Sequence, residues 1–440
     1  MSSSPAYDVA IVGAGPAGLS AALAAARAGA RTLLVDRGPR LGGNIANAFV
    51  HTICGLYEPA GAVAAAEPVA VHAGLPAAWV AALEAAGAAG APERAGRVFV
   101  RPLRPRGFEQ VAHDCLGARA EVELALGAEL VSLSGAQGEA AHELVYAREG
   151  SEHRVTAQVV VDASGDGDAA SLAGAATLCE SPSALQHASY IVRVRGLAPG
   201  ALAGSARMQL TASVARAVRE GRLPTGCDSI SLRPAEAGTE GAGGEEAHMT
   251  LTIPKPDGEA YDPLDVVQRE RLAACARQGA ASVLGFLRSE RTGFDEAALA
   301  EAPARIGVRE GRRVAGRTEL AAEHVLEGRS DPEEVTRGCW PIELWQDHRR
   351  ARFQHVAGPC SIPLGALVAR DLPRLAMAGR CVSASHEALG SLRVIGTALA
   401  TGEASGVAAA LAADSHVALA RVEARAVRAV IAKHVGEPLL

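Results

Sequence analysis

An α/β fold carrying a second, inserted α+β domain is predicted by three features of this 440-residue chain. Its opening stretch, DVAIVGAGPAGLSAALAAARAGARTLLVDR, reads as strand, glycine turn, helix and strand. From PCSIPLGALV onward the chain returns to that strand, loop and helix pattern, while between about 179 and 357 its character differs. A chain this long also exceeds what one hydrophobic core usually supports. The expected division is therefore one domain built from residues 1–178 and 358–440, interrupted by a substrate or cap domain at 179–357.

The elements follow in order. A strand at about 8–12, a helix over SAALAAARAG and a strand over RTLLVD complete a βαβ unit. Residues 60–95 read as helical but glycine-interrupted, and RVFVRPLRPRGFEQVAHDCLGA runs from a strand through a turn into a helix. Strands are expected over AEVELALG, ELVSLS and HELVYAR, and GSEHRVTAQVVVDASGDGD continues into a buried strand that ends at a loop. In the middle of the chain, SYIVRVRGL and HMTLTIPK flank AEAGTEGAGGEEA (235–247), whose Gly and Glu content predicts an exposed loop. Helical segments are expected over 262–290. The sequence contains no internal repeat.

Composition narrows the function classes. A hydrophobic fraction of 49% and a charged fraction of 21% describe an ordinary globular protein. The formal charge of −6 argues against a non-specific nucleic-acid or membrane binder. The start, MSSSPAYD, has no basic region, and the apolar run after it is broken by Gly13, Gly15, Pro16 and Gly18, so a cytoplasmic location is expected. No uninterrupted apolar run reaches membrane-spanning length. Eight cysteines are scattered without a CxxC pair or zinc-ligand spacing, so neither structural disulfides nor a metal site is expected.

The chemistry begins at Gly13, Gly15 and Gly18. The first glycine permits a tight turn, the second lets a pyrophosphate approach the backbone, and the third lets helix and strand pack closely. A phosphate would then sit at a helix N-terminus, where free N–H groups and the dipole favour an anion. Asp36 ends the second strand, placed to accept ribose hydroxyls, and an acid there disfavours a 2′-phosphate. Strand, glycine turn, helix and acid together predict a Rossmann-like dinucleotide site.

Further motifs choose the dinucleotide. With the first motif, LGGNIANAF (41–49), VVVDASGDGDAASLAGA (159–175) and LAMAGRCVSASHEALGSLRVIGTALATGEASGVAAALA (375–412) resemble the FAD-dependent oxidoreductases related to the fumarate reductase flavoprotein and glutathione reductase-like folds. ARIGVREGRRVAGRTELAAEHVLEGR, CWPIELW and IPLGALV extend the resemblance, and only about 180–300 is poorly matched. It implies that Gly13, Gly15, Pro16, Ala17 and Gly18 hold the FAD pyrophosphate, and Asp36 the adenosine ribose with Arg37 beside it. Gly42, Gly43 and Asn44 would pass along the flavin side, and Leu130 would face the adenine. Gly165, Asp166, Gly379 and Arg380 would lie near the pyrophosphate or ribityl chain, although AGR stands where many flavoproteins carry Asp. Gly396 and Thr397 would open the last helix, its positive end supporting negative charge at the flavin N1 and C2 carbonyl.

On the reacting side, the resemblance puts the SASHEALG loop near the isoalloxazine. His386 is then either a proton-transferring group or, with Glu387, a hydrogen-bonding fixture of that loop. Arg309, Arg312, Arg313 and Arg393 either bind an anionic substrate or form an interdomain ion-pair network. His51 and Cys54 follow the Gly-Gly turn, where a covalent flavin link is conceivable, while buried Cys is commonly just a small apolar residue. A single complete GxGxxG and the absence of CxxxxC disfavour a disulfide reductase fed by NAD(P)H.

The expected activity is a dehydrogenase or oxidase that exchanges a hydride between flavin N5 and a small organic substrate, with the arginines pointing to an anionic one. The alternatives are a flavin monooxygenase, or an electron-transfer flavoprotein that works with a partner chain holding any iron-sulfur centre. The electron acceptor and substrate stay open, and a homo-oligomer is compatible with the sequence.

Overall fold

A computed structural model describes residues 6–60, 67–134, 140–235, 244–255 and 261–440. Its central sheet grows from apolar runs that suit strands buried on both faces. β1 (Ala6–Val12) leads through a glycine turn into helix α1 (Pro16–Arg27), and β2 (Thr32–Asp36) returns parallel to β1, with Val9 opposite Thr32 and Val12 opposite Val35. β3 (Val122–Leu126) pairs parallel with β2. The chain then folds antiparallel through β4 (Ala128–Leu133), β5 (His142–Arg148) and β6 (Ser151–Asp162).

The sheet order is β3-β2-β1-β6-β5-β4, and β6 is shared. Its first half pairs with β5, while its second half runs parallel to β1 and to Leu375–Met377 from the far end of the chain. Both ends of the sequence thus build one sheet, as the split Rossmann-like fold requires.

A second sheet is wholly antiparallel, in the order β8-β9-β7-β10, from β7 (Ser189–Leu197), β8 (Ser231–Pro234), β9 (Glu245–Thr252) and β10 (Ala298–Glu301). A cluster of its own, from Leu185 to Val308, includes Tyr190, Met249, Val283 and Phe294. Leu320, Cys339, Ile342, Leu344, Ile362 and Leu367 pack instead with the core around α1.

Two expectations need correction. Of residues 60–95, only α2 (Leu75–Ala85) is helical; Gly74 stands at its N-cap, Gly87 follows its end at φ +61, and Glu93–Ala95 is already a strand, while 61–66 lie outside the described residues. Of the expected loop at 235–247, positions 236–243 lie outside the described residues and Glu245 begins β9. The helical expectation for 262–290 resolves into α3 (Val266–Glu290), whose N-cap Asp265 accepts from the Gln268 backbone N–H at 2.8 Å.

The last long helix, α4 (Ile395–Asp414), is apolar and long enough to cross a membrane by composition, yet 83% of its apolar window is buried inside the protein. Its small residues explain the fit. A Cβ on Gly402 would strike the backbone of Ala17, and one on Gly406 the backbone of Ala21, so α1 and α4 meet almost backbone to backbone.

Candidate functional site

One cavity of about 1180 Å³ runs between the two cores and is lined by both. That exceeds the roughly 300–1,000 Å³ of an ordinary small-ligand pocket and leaves room for a dinucleotide with a substrate. Among the described residues, nine arginines and five carboxylates line it, in a chain whose net charge is −6. The cavity is therefore selectively cationic.

At one end lies the glycine turn. Gly13 adopts φ +106, and a Cβ there would strike the Ala163 carbonyl; a Cβ on Gly18 would strike the Gly13 carbonyl. Those two glycines serve close packing. Gly15 differs, because its Cβ would meet only the Gly43 Cα, at 3.9 Å, on the cavity side. Gly15 is also the N-cap of α1 and supplies no side-chain bond to the first-turn N–H groups, which leaves them for an anion. The Gly42 N–H donates to the Ala14 carbonyl at 2.8 Å and pins the Gly-Gly turn against this cradle.

Of the residues assigned to the cofactor, Gly13, Gly15, Pro16, Ala17, Asp36, Arg37, Gly43, Asn44, Leu130, Gly165, Asp166, Gly379 and Arg380 line the cavity. Gly18, Gly42, Gly396 and Thr397 stand behind its wall. Asp36 accepts from the backbone N–H groups of Ala14 and Gly38, each at 2.6 Å, and keeps acceptor capacity for hydroxyls. Arg380 donates to the Gly165 carbonyl and the Asp166 carboxylate, both at 2.8 Å, and to the Val308 carbonyl. It thereby ties the loop after β6 to the segment leaving the second core. Arg312 donates to the Asp166 carbonyl at 3.0 Å and to Asp168 at 2.7 Å, so it braces that loop as an ion-pair residue.

Arg305, inside the ARIGVREGRR motif but given no role there, and Arg269, outside every motif, also line the cavity. The Arg305 Nε is buried without a partner, and burial lowers the pKa of both guanidiniums. The N-terminus of α4 reaches the same space through Val394, Ile395 and Ala398, and no side chain caps it. Behind it, the Gly396 N–H donates to the Cys54 carbonyl at 2.8 Å, and the buried Thr397 hydroxyl has no partner.

The other end is built around Glu343. Its carboxylate accepts the indole N–H of Trp345 at 2.6 Å and of Trp340 at 3.0 Å, and Arg393 stands 3.9 Å away. Burial pushes the Glu343 carboxyl up, but Arg393, the two indole donors and Arg309 outweigh it, and its pKa is lowered. Arg309 lies over the Trp345 ring, 4.3 Å from its centroid, and donates to the His187 carbonyl at 2.6 Å. Glu343 and Trp345 sit on a hairpin, Ile342–Asp347 with Arg350–Gln354, whose tip is tied to Asp228 by His348 at 3.1 Å and Arg349 at 3.0 Å.

His386 is placed away from this chemistry. It opens the short helix His386–Leu392 but does not line the cavity. Its Nδ1 lies 2.8 Å from the fully buried Glu310, which also accepts from Arg313 at 2.8 Å, and Arg313 pairs with Glu180. Burial lowers the His386 pKa, but the bond and charge of Glu310 outweigh it and leave it raised. Of the two alternatives for His386, this arrangement favours the hydrogen-bonding fixture of the loop, since Glu310 holds the ring. Glu387, one residue on, is exposed.

His51 and Cys54 both line the cavity. The His51 ring stacks on His248 with centroids 4.3 Å apart, and burial, reinforced by His248, pulls its pKa down to about 3. Burial, with Glu343 next, pushes the Cys54 thiol up to about 12, so it is not a ready nucleophile at neutral pH.

The model of a family described as FAD dependent oxidoreductase matches residues 8–431. The chain belongs to that family. It is an FAD-dependent oxidoreductase, and the residues present fit the cofactor: an open cradle at Gly15, an uncapped α1 and an orphaned Arg305 Nε. One chain of the opine oxidase of Rhizobium meliloti is 62% identical over 39 residues, 9% of this chain and only 7% of that protein's length. Among solved structures, a geranylgeranyl bacteriochlorophyll reductase-like protein from Thermoplasma acidophilum is 12% identical with a TM-score of 0.48, over 99% of this chain and 93% of that one. The p-nitrophenol 4-monooxygenase of Pseudomonas putida is 11% identical with a TM-score of 0.47, over 98% and 90%. Likenesses this distant say nothing of substrate or reaction.

Proposed function

We propose that this oxidoreductase is a dehydrogenase or oxidase acting on a small organic, anionic substrate. The observation that carries the reading is the single cavity that joins the glycine cradle to the Arg309, Arg393 and Glu343 cluster. When bound, FAD supplies the two-electron chemistry, with hydride passing to or from N5.

The chain's own residues do the placing. The cradle at Gly15 and Asp36 would hold the nucleotide end, and Arg305, whose buried Nε has no partner, and Arg380, paired with Asp166, would supply cations toward the pyrophosphate. The α4 N-terminus supports negative charge beside Val394 and Ile395. Arg309 and Arg393 orient the substrate, and Trp340 and Trp345 exclude water from around them. A closer kinship with the fumarate reductase flavoprotein is part of the same proposal and rests on the order of the motifs.

The test is the visible spectrum of the purified protein, then of supernatant and pellet after acid precipitation. Flavin bands near about 370 and 450 nm that leave with the supernatant are expected. Anaerobic addition of a set of small acids should then bleach the long-wavelength band for at least one of them. Turnover that needs oxygen and inserts it into the substrate would replace this reading with a monooxygenase. Bleaching only when another chain is added would make the protein an electron-transfer component.

A further inference from the structure

We infer that Arg269, which α3 carries from the second core to the nucleotide end of the cavity, is a further ligand of the FAD pyrophosphate and fastens that core over the cofactor. Arg269 would serve so whatever the substrate, because only the FAD assignment is needed.

The sequence of α3 puts Arg269 on the buried stripe of the helix. Leu272, Ala276, Ala280, Val283 and Leu287 recur at three- and four-residue steps and pack in the second core. Arg269 stands one step before Leu272 on that stripe, where the helix leaves the core, and it lines the cavity. An apolar residue would continue the stripe, and a cation near a helix N-terminus opposes the dipole. Helix stability therefore gives no reason for an arginine here.

Neighbouring acids give none either. Asp166 pairs with Arg380 at 2.8 Å, Asp168 with Arg312 at 2.7 Å and Arg37 at 3.7 Å, and Asp36 accepts two backbone N–H groups. Glu129, the fourth acid at this end, is exposed and makes no ion pair among the described residues. Arg269 and Arg305 are left, each half-buried and without a described carboxylate within ion-pair distance. Burial lowers the pKa of both, and Arg37, Arg380 and Asp166 act on both, so the two guanidiniums surround one locus. The Gly165–Asp166 loop that Arg380 holds there adjoins the glycine turn, since a Cβ on Gly13 would strike Ala163 and Ser164. Two half-buried cations without acids are costly side by side. A diphosphate diester brings two negative charges to one such place, and guanidinium donors suit its oxygens.

Flavin fluorescence titration of the FAD-free protein, paired with thermal melts, tests this on Arg269→Met. FAD should bind at least about tenfold more weakly, and the fall of its affinity with rising salt should flatten. The thermal midpoint of the FAD-free protein should hold or rise, because a half-buried unpaired cation is gone, while the gain in midpoint on loading FAD shrinks. Arg269→Lys, which keeps the charge without the fork, should lose less. Arg288→Met, which removes an exposed charge from the far end of α3, should leave FAD affinity unchanged. Unaltered affinity in Arg269→Met or an equal loss in Arg288→Met would overturn the assignment. So would a loss that leaves the salt dependence intact, which is the mark of stacking on the adenine, or a lower midpoint of FAD-free Arg269→Met, which is the mark of a brace within the protein.

Discussion

Gly15 and Gly18 stand three residues apart at the start of α1, yet an added methyl group meets different surroundings at each. At Gly18 it collides with the Gly13 carbonyl, backbone that cannot yield cheaply, and Gly18→Ala should cost about 1–3 kcal/mol of stability or more. At Gly15 it enters the open cradle, so Gly15→Ala should leave the thermal midpoint of the FAD-free protein almost unchanged and weaken FAD at least about tenfold. Thermal melts paired with flavin fluorescence titration separate the two roles. The roles themselves are legible in the sequence because turn, cradle and packing glycine lie within six residues and depend on local backbone geometry. Glu343 and Arg305 are not legible in that way, since burial and partners far along the chain create their roles. His386 shows the converse: its loop is recognisable, but Glu310, distant in sequence, decides where the ring points. The stacked His51–His248 pair is equally invisible in the sequence, and it has a pH signature. Burial lowers both pKa values, with Arg193 adding to the effect at His248, to about 3 and about 4. A depressed histidine stays neutral in the fold while the unfolded chain takes up protons below its ordinary value, so stability is lost as pH falls below about 6.5. The loss at pH 5 should be roughly 2 kcal/mol for His248, and less for His51 because it faces the cavity. Urea midpoints at pH 7.5 and 5 should show a smaller drop in His248→Phe than in the unaltered protein.

At the scale of elements, α4 does two things that its Ala/Gly composition only half announces. Small residues let it lie against α1, which the sequence pattern conveys, and its uncapped N-terminus lines the cavity, which the order of the motifs conveys. What neither conveys is Glu403, buried in the middle of that helix, accepting from the Leu75 N–H at the start of α2 at 2.8 Å. Burial pushes its carboxyl up to about 7, against the lowering influence of that bond and of Arg27. The folded state therefore holds a proton that the unfolded chain releases above its ordinary value near 4.5, and stability should fall as pH rises from about 4.5 through about 7. This is opposite in sign to the histidine pair. Glu403→Gln keeps an acceptor for Leu75 and removes the titration. It should match the unaltered protein near pH 4.5 and exceed it by roughly 2–3 kcal/mol at pH 8 in chemical denaturation, a range set by the size of the shift. A variant less stable at pH 8 would mean that the ionised carboxylate, not the protonated one, holds α2 to α4. The helix expected over 60–95 shrinks to α2 for a related reason: alanine favours helix locally, but Gly74 and Gly87 bound it.

Across the whole molecule, the cavity is where the two cores meet, so cofactor binding and folding are linked. Gly13, Ala17 and Ala163 belong to the wall contributed by the split sheet, while Ile191, Thr250, Ile306 and Val308 belong to the wall contributed by the antiparallel one. The core of buried side chains between Leu185 and Val308, counted among the described residues, has the means to hold together by itself, and the described ties from it to the split-sheet part are polar or aromatic, among them Arg380 and Asn44 to the Val308 carbonyl, the Arg305 N–H to the Asn47 carbonyl and the His51–His248 stack. Such ties make a weak seam, and interfaces of that kind allow the parts to open separately. A dinucleotide filling the cavity touches both walls and so stabilises the closed arrangement without binding the unfolded chain. Mass action then predicts a gain of about 2.7 kcal/mol when free FAD is a hundredfold above its dissociation constant. In calorimetric scans the FAD-free protein should melt in two resolved steps, the less stable belonging to the antiparallel core, and saturating FAD should merge them into one transition at higher temperature. If the two scans instead superimpose, FAD does not bridge these walls. If FAD raises only the upper step, it is held by the split sheet alone, and the second core serves the substrate without touching the cofactor.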